Sequence, residues 1–386
     1  MMKKLGSGLE LPYALSNHSG DSILNVIIVE REKVSLFSGG DVHIDILSSI
    51  YREKLGVDVT KFKIPFNSPN FDAYSNFISL IKVFIWKTEE NCKYLHRGAL
   101  VISPNPYPNH ILTAIKISKT IGGYPVVYFH HLSLSLKFIA RRGIIRSLIN
   151  YIVSVLNLSI CKILDIPIFL DNPDAYKIKG LDIFSDEDAP DPSIKLKNSV
   201  VKKDFDLCYI GRFQKHKGAL DLIKVISILK RNNVNVSVAI VGYSDLKFKK
   251  KVLRKLKAEN IFENFTFFGN VDSKTKFNIL NSSSIYIHLS YEEGWGMSVM
   301  DAASVGIPII AYNLSAYSYL KGKFNSVRVG DTTKVAELIE KILSDHSDAV
   351  SIAKEAKKIV DSYNYLEIAM YQIESYKRII YKRAKS

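Results

Sequence analysis

FDLCYIGRFQKHKGALDLIKVISILKRNNVNVSVAIVG, residues 205–242, carries the pattern that decides the fold. A β-branched and aromatic run stops at Gly211, a segment with helical apolar spacing follows, and a second strand-like run stops at Gly242. Two apolar strands joined through a helix make a parallel pair, because a parallel connection needs a crossover of a dozen or more residues. Working outward, FTFFG (265–269), SIYIHLS (284–290) and IPIIAY (307–312) read as further strands, with SKTKFNILNSS (273–283) as a helix between two of them. Short, almost continuously apolar strands alternating with amphipathic helices describe a parallel sheet covered on both faces.

The first half repeats the theme less regularly. LNVIIVE (24–30), GALVISP (98–104), YPVVYFHH (124–131) and IPIFLDN (166–172) read as strands, and HILTAIKISKTIGG (110–123) as a helix with a glycine stop. The Asp-, Pro- and Ser-rich connection FSDEDAPDPSIKLKNS (184–199) marks a boundary between an N-terminal unit, residues 1–190, and a C-terminal unit, residues 200–370. A basic tail helix, about residues 370–386, is expected to leave its own unit and pack back on the first. At 386 residues the chain exceeds one ordinary core, and 47% apolar with 24% charged residues is a globular composition. The fold class is therefore α/β, with two Rossmann-like doubly wound domains facing a cleft.

Composition also narrows function. Cys92, Cys161 and Cys208 are odd in number and widely spaced, which reads as buried free thiols in a reducing cytoplasm. The N-terminus lacks an uninterrupted apolar segment behind its lysines, so no secretory signal is expected. The most hydrophobic stretch, residues 149–170, is broken by Lys162, Asp165 and Pro167 and does not read as a membrane span. A net charge of +15 points to acidic partners. The cations are spread along the chain with no zinc-finger, RNP-type or basic-zipper pattern, which argues against nucleic acid.

In open parallel sheets ligands bind beyond the carboxyl ends of the strands. There GRFQKHKG (211–218) places a planar cation, Arg212, and a point charge, Lys217, beside Gly211, a set suited to a pyrophosphate. After a later strand, YEEGWGMSVMD (291–301) brings Gly294 and Gly296 to the start of a helix at about Met297, whose free N–H groups favour an anion. Glu293 and Asp301 would repel phosphate, so they are expected to accept hydrogen bonds from hydroxyl groups beside it.

GRFQKHKG resembles the G-R-x-x-x-x-K-G segment of retaining nucleotide-sugar glycosyltransferases with the GT-B fold, in the large family four. EEGWGMSVMDAASVGIPIIA (292–311) is similar to that family's E-G-x-G-x-x-x-x-E-A-x-x-x-G-x-P-V-x-A signature, with Asp301 where Glu is usual and Trp295 where Phe is usual. SGGDVHIDIL (38–47) resembles the family's glycine loop, which puts Gly39 and Gly40 where acceptor and donor sugar meet. VVYFHHLSL is similar to the strand end bearing its active-site histidine, which carries over to His130 with His131 as competitor.

The resemblance implies an N-terminal acceptor domain and a C-terminal nucleotide-sugar domain. His130, Glu293, Arg212 and Lys217 become the catalytic set, and Gly211, Gly294, Trp295, Gly296, Met297 and Asp301 join the donor site. It further implies retaining transfer to a glycan or lipid-linked acceptor, with no cofactor and no metal. The DED of Asp186–Asp188 is a D-x-D pattern, but its place in the acidic connection reads as a solvated loop. The segment LKFIARRGIIRSLINYIVSVL (136–156) is basic and apolar together, which suggests peripheral contact with the inner face of an anionic membrane. Rival readings on the same architecture are a sugar-nucleotide epimerase, a phosphorylase, or a non-catalytic module binding sugar nucleotide or membrane.

Overall fold

The computed structural model describes residues 24–30, 39–64, 81–130, 132, 144–171, 178–192 and 203–385. In the first half β1 (Asn25–Glu30), α1 (Gly39–Leu55), β2 (Asp58–Lys63), β3 (Leu100–Ser103), α2 (Pro108–Ile121), β4 (Tyr124–Phe129), α3 (Ile144–Ile163), β5 (Ile168–Leu170) and β6 (Ile183–Ser185) follow in order. The second half begins with β7 (Phe205–Ile210), α4 (Ala219–Arg231), β8 (Val238–Val241), α5 (Leu246–Ala258) and β9 (Phe265–Gly269). It continues with α6 (Ser273–Asn281), β10 (Ser283–His288), α7 (Met297–Val305), β11 (Ile309–Tyr312) and β12 (Asn325–Val327). Three helices close the chain: α8 (Thr332–Ser344), α9 (Ser347–Val360) and α10 (Tyr365–Ala384).

Among the described residues the strands form two six-stranded sheets, ordered β2-β1-β3-β4-β5-β6 and β12-β11-β10-β7-β8-β9, with every pair parallel. The expected pair of doubly wound units is present. Strands β3 and β8 are buried at every position, as two-sided coverage by helices requires. Three strands fall outside the sequence reading. DVTKFK of β2 buries only Val59 and Phe62, while β6 and β12 have three residues each, too few to carry a period.

Each sheet has an apolar core on both sides. Leu222, Ile223 and Ile226 of α4 cover one face of the second sheet, and Val299, Met300 and Ala303 of α7 cover the other. Helix α10 packs across the first sheet, where Ile368, Ala369, Tyr376 and Ile379 join Tyr51, Tyr128 and Phe169 in one core. Asn364 starts this helix by accepting the Glu367 N–H. The helix therefore begins directly after the second half of the chain and ends on the first. The three cysteines are buried and free, and no helix among the described residues is long and apolar enough to cross a membrane.

Candidate active site

In the second sheet β10 lies beside β7, so the chain switches winding direction between them and leaves a crevice at their carboxyl ends. Both sequence motifs leave from these two strands. They are stitched together by the Tyr291 N–H, which donates to the His216 carbonyl at 3.0 Å. Gly218, with φ +79°, backs so closely onto the second loop that a Cβ there would lie 2.0 Å from the Leu289 carbonyl oxygen. Beneath the first loop, the Tyr209 hydroxyl lies 3.0 Å from the carbonyl oxygen of Arg212 and 3.2 Å from that of Lys217. Its ring stacks on His288 with centroids 6.4 Å apart.

This scaffold delivers three charged groups. Arg212 is exposed. Lys217 Nζ donates to Glu293 Oε1 at 2.7 Å, and the same oxygen lies 2.9 Å from His288 Nε2. The Tyr286 hydroxyl is 2.9 Å from His288 Nδ1, so when it donates there His288 presents Nε2–H to the carboxylate. Burial works to raise the Glu293 pKa, but the Lys217 ammonium and His288 hold it well below the usual range. Glu293 is thus a fixed carboxylate, and it is ion-paired with a lysine assigned to phosphate.

Helix α7 begins at Met297 after Gly296. The Trp295 ring is buried and stacked on Tyr319, centroids 5.0 Å apart, so it packs the base of the loop. Asp301, inside the helix, is also buried. Lys276 Nζ of α6 reaches its Oδ2 at 2.8 Å, and the Asp191 N–H lies 3.4 Å from its Oδ1. Burial raises the Asp301 pKa against the pull of Lys276.

Opposite this crevice the carboxyl ends of the first sheet carry His130 after β4, Asp171 after β5, and Asp186 and Asp188 after β6. His130 Nδ1 lies 3.5 Å from Asp171 Oδ1 and 3.3 Å from Asp186 Oδ2. His43, from α1, sets Nδ1 2.8 Å from Asp188 Oδ1 and Nε2 3.0 Å from Asp186 Oδ1. The solvated-loop reading of Asp186–Asp188 is overturned: Asp186 is 2% exposed and Asp188 7% exposed, directly after a strand. Acid-rich composition misled because the two histidines that neutralise these carboxylates are distant in sequence. Gly39 and Gly40 open α1, the helix that carries His43, whereas His131 lies outside the described residues.

Burial works to lower the His130 pKa, but the Asp171 and Asp186 carboxylates carry it up to about 10. Burial pushes the Asp171 carboxyl up to about 7, against His130. Among the described residues, His130, Asp171 and Asp186 form the one group whose ligand atoms, all within 4.8 Å, are close enough to share a metal ion. The imidazole between the two carboxylates already supplies a cation there.

The two halves meet at Gly294. A Cβ there would lie 1.8 Å from the His130 carbonyl oxygen and 2.5 Å from Asp171 Oδ2. The structure therefore brings Lys217, Glu293 and Gly294 to the same mouth as His130. Sequence reasoning missed His43, Asp171, His288 and Tyr209. A signal existed for Asp171 and His288, since both sit at the carboxyl end of a parallel strand; none existed for His43, which lies inside a helix.

Residues 191–359 match the family model described as glycosyl transferases group 1. A capsular polysaccharide biosynthesis glycosyltransferase, CapM of Staphylococcus aureus, is 22% identical over 190 residues, 46% of this chain and 47% of that protein. The chain spans about half the length of the curated relatives it matches. Among solved structures, Anabaena HepE in complex with UDP and glucose superposes with a TM-score of 0.69 at 14% identity, covering 92% of this chain and all of that one. Sucrose-phosphate synthase from Thermosynechococcus elongatus gives 0.72 at 14%, over 93% and 100%.

Proposed function

Residues 191–359 match the glycosyl transferases group 1 model and the chain has the GT-B fold, and from that premise we propose that it is a retaining glycosyltransferase using a nucleotide-diphosphate sugar. The observation that carries this reading is the meeting of Lys217, Glu293 and the Gly294 backbone with His130 at the carboxyl ends of both sheets. Arg212 and Lys217 take the donor diphosphate and stabilise the charge that develops on the leaving nucleotide, usually the largest catalytic contribution. Glu293 takes the hydroxyls of the transferred sugar, and the Met297 end of α7 offers N–H groups to an anion. Asp301 addresses the ribose with Lys276 holding its carboxylate. The departing phosphate accepts the acceptor's proton on the same face of the sugar, so no metal or second carboxylate is needed for the transfer.

The acceptor is a glycan or a lipid-linked sugar at the cytoplasmic face of a membrane. Helix α3 supports this, because Leu148, Ile149, Ile152, Val155, Leu156 and Ile163 are exposed along it at helical spacing. Lys137, Arg141 and Arg142 precede it in sequence, a pairing of apolar face and cations suited to anionic headgroups.

A thermal-shift panel of UDP-, GDP-, ADP- and TDP-sugars tests the donor, since a ligand at about 100 times its Kd stabilises the native state by ~2.7 kcal/mol. Anomeric analysis of the product then tests retention. An epimer formed without acceptor, or a sugar phosphate made from inorganic phosphate, would replace this reading.

A further inference from the structure

His130 has two ring nitrogens in different situations. Nδ1 faces Asp171 and Asp186, while Nε2 is buried with no hydrogen-bond partner among the described residues. Asp186 is itself gripped on its other oxygen by His43 Nε2 at 3.0 Å and Gln372 Nε2 at 2.8 Å. The Tyr365 hydroxyl donates to Asp188 at 2.6 Å. Gln372 and Tyr365 belong to α10, so the clamp is fastened by the helix that crosses back from the second half of the chain.

We propose that Asp171 and Asp186 are positioning residues that hold the Nδ1 side of His130 between their charges, at ion-pair distance rather than by a hydrogen bond to Asp186 Oδ2, and leave its Nε2–H for an oxygen acceptor of the bound donor. Resting on the transferase reading above, this gives the unsatisfied nitrogen its partner. A buried N–H left without an acceptor is costly, and a ligand oxygen at that point removes the cost. The clamp also explains why a buried region tolerates three carboxylates: each lies within hydrogen-bonding or ion-pairing reach of an imidazole nitrogen. Because the Gly294 backbone abuts both His130 and Asp171, the donor loop closes directly on the clamp, and His130 is aligned when the halves are together.

The charged or titratable groups around His130 are His43 from α1, Tyr128 from β4, Asp171, Asp186 and Asp188. The test labels histidine ring nitrogens in the full chain and follows His130 by NMR against pH, in the wild type and in Asp171→Asn. The clamp predicts that wild-type His130 stays an imidazolium through about pH 8.5, against an ordinary histidine midpoint of about 6.5. Asp171→Asn should lower its midpoint by at least about one unit. With whichever sugar nucleotide shifts the melting temperature, Asp171→Asn should weaken donor binding and lower kcat/KM at least about 10-fold. Activity of the variant should also acquire an alkaline limb that the wild type lacks.

A wild-type His130 that titrates near 6.5, or an Asp171→Asn variant with unchanged midpoint and kcat/KM, overturns the proposal. If no sugar nucleotide binds, the transferase reading fails while the NMR titration still decides the clamp. Asp186→Asn, whose site is more enclosed, is read by NMR only after its thermal unfolding shows a folded chain.

Discussion

Replacing Gly294 by alanine adds one methyl group where the two halves touch. No positive φ is recorded at Gly294, so the substitution costs nothing in backbone conformation and acts only through space. The new Cβ would lie 1.8 Å from the His130 carbonyl oxygen, and contacts below 3.0 Å essentially never occur, so loop or wall must retreat by about 1.2 Å. Misplacing a positioned group by about 1 Å costs on the order of 10²-fold in rate, or ~3 kcal/mol of transition-state stabilisation. The expected result is a fall in kcat/KM of about 10²-fold with the melting temperature within a few degrees of wild type, because no apolar core is touched. Steady-state transfer assays with the identified donor, run beside thermal unfolding, measure both. A Gly294→Ala enzyme with wild-type kcat/KM would mean that the contact between Gly294 and His130 is not part of the working geometry.

Lys217→Met leaves Glu293 as a largely buried carboxylate without its ammonium, and with both partners slightly exposed a loss of about 2 kcal/mol in unfolding free energy is expected by denaturant titration. Adding Glu293→Gln should return most of that stability and leave turnover abolished, because the lone charge is gone but both functional groups are too. The pH dependence of stability follows from two raised values. Asp171 at about 7 and His130 at about 10 each contribute stability that is complete below their unfolded values and is lost as pH rises through the folded ones. These two groups should therefore lower the melting temperature from about pH 4 to about pH 7 through Asp171 and from about pH 6.5 to about pH 10 through His130, and His130→Gln should flatten the alkaline part of that decline. Ile152→Asp with Leu156→Asp places two charges on the exposed face of α3 and should abolish sedimentation with anionic lipid vesicles while soluble-acceptor turnover is retained.

The strands buried on both faces were legible because two-sided burial leaves continuous apolar runs such as LVIS and VAIV, bounded by glycine or serine. The two loops at the second sheet's crevice were legible for a related reason: Gly211 to Lys217 and Glu293 to Asp301 each form one local segment between a strand and a helix. The clamp around His130 has no such local form. His43 and Asp188 are 145 residues apart, and Gln372 and Asp186 are 186 apart, so the neutralisation that keeps these acids buried exists only after folding. A composition-based reading assigns such acids to water, and the error at Asp186–Asp188 arose in that way.

The ion pair between Lys217 and Glu293 reconciles an apparent conflict in the site. The sequence assigns one to phosphate and the other to sugar hydroxyls, yet they hold each other at 2.7 Å. Without that pairing, both charges would wait in a largely buried crevice uncompensated, at a desolvation cost of several kcal/mol per ion. On the transferase reading, a diphosphate beside Arg212 would offer Lys217 a second anion, while Glu293 Oε1 keeps its contact with His288 and Oε2 is left for a sugar hydroxyl.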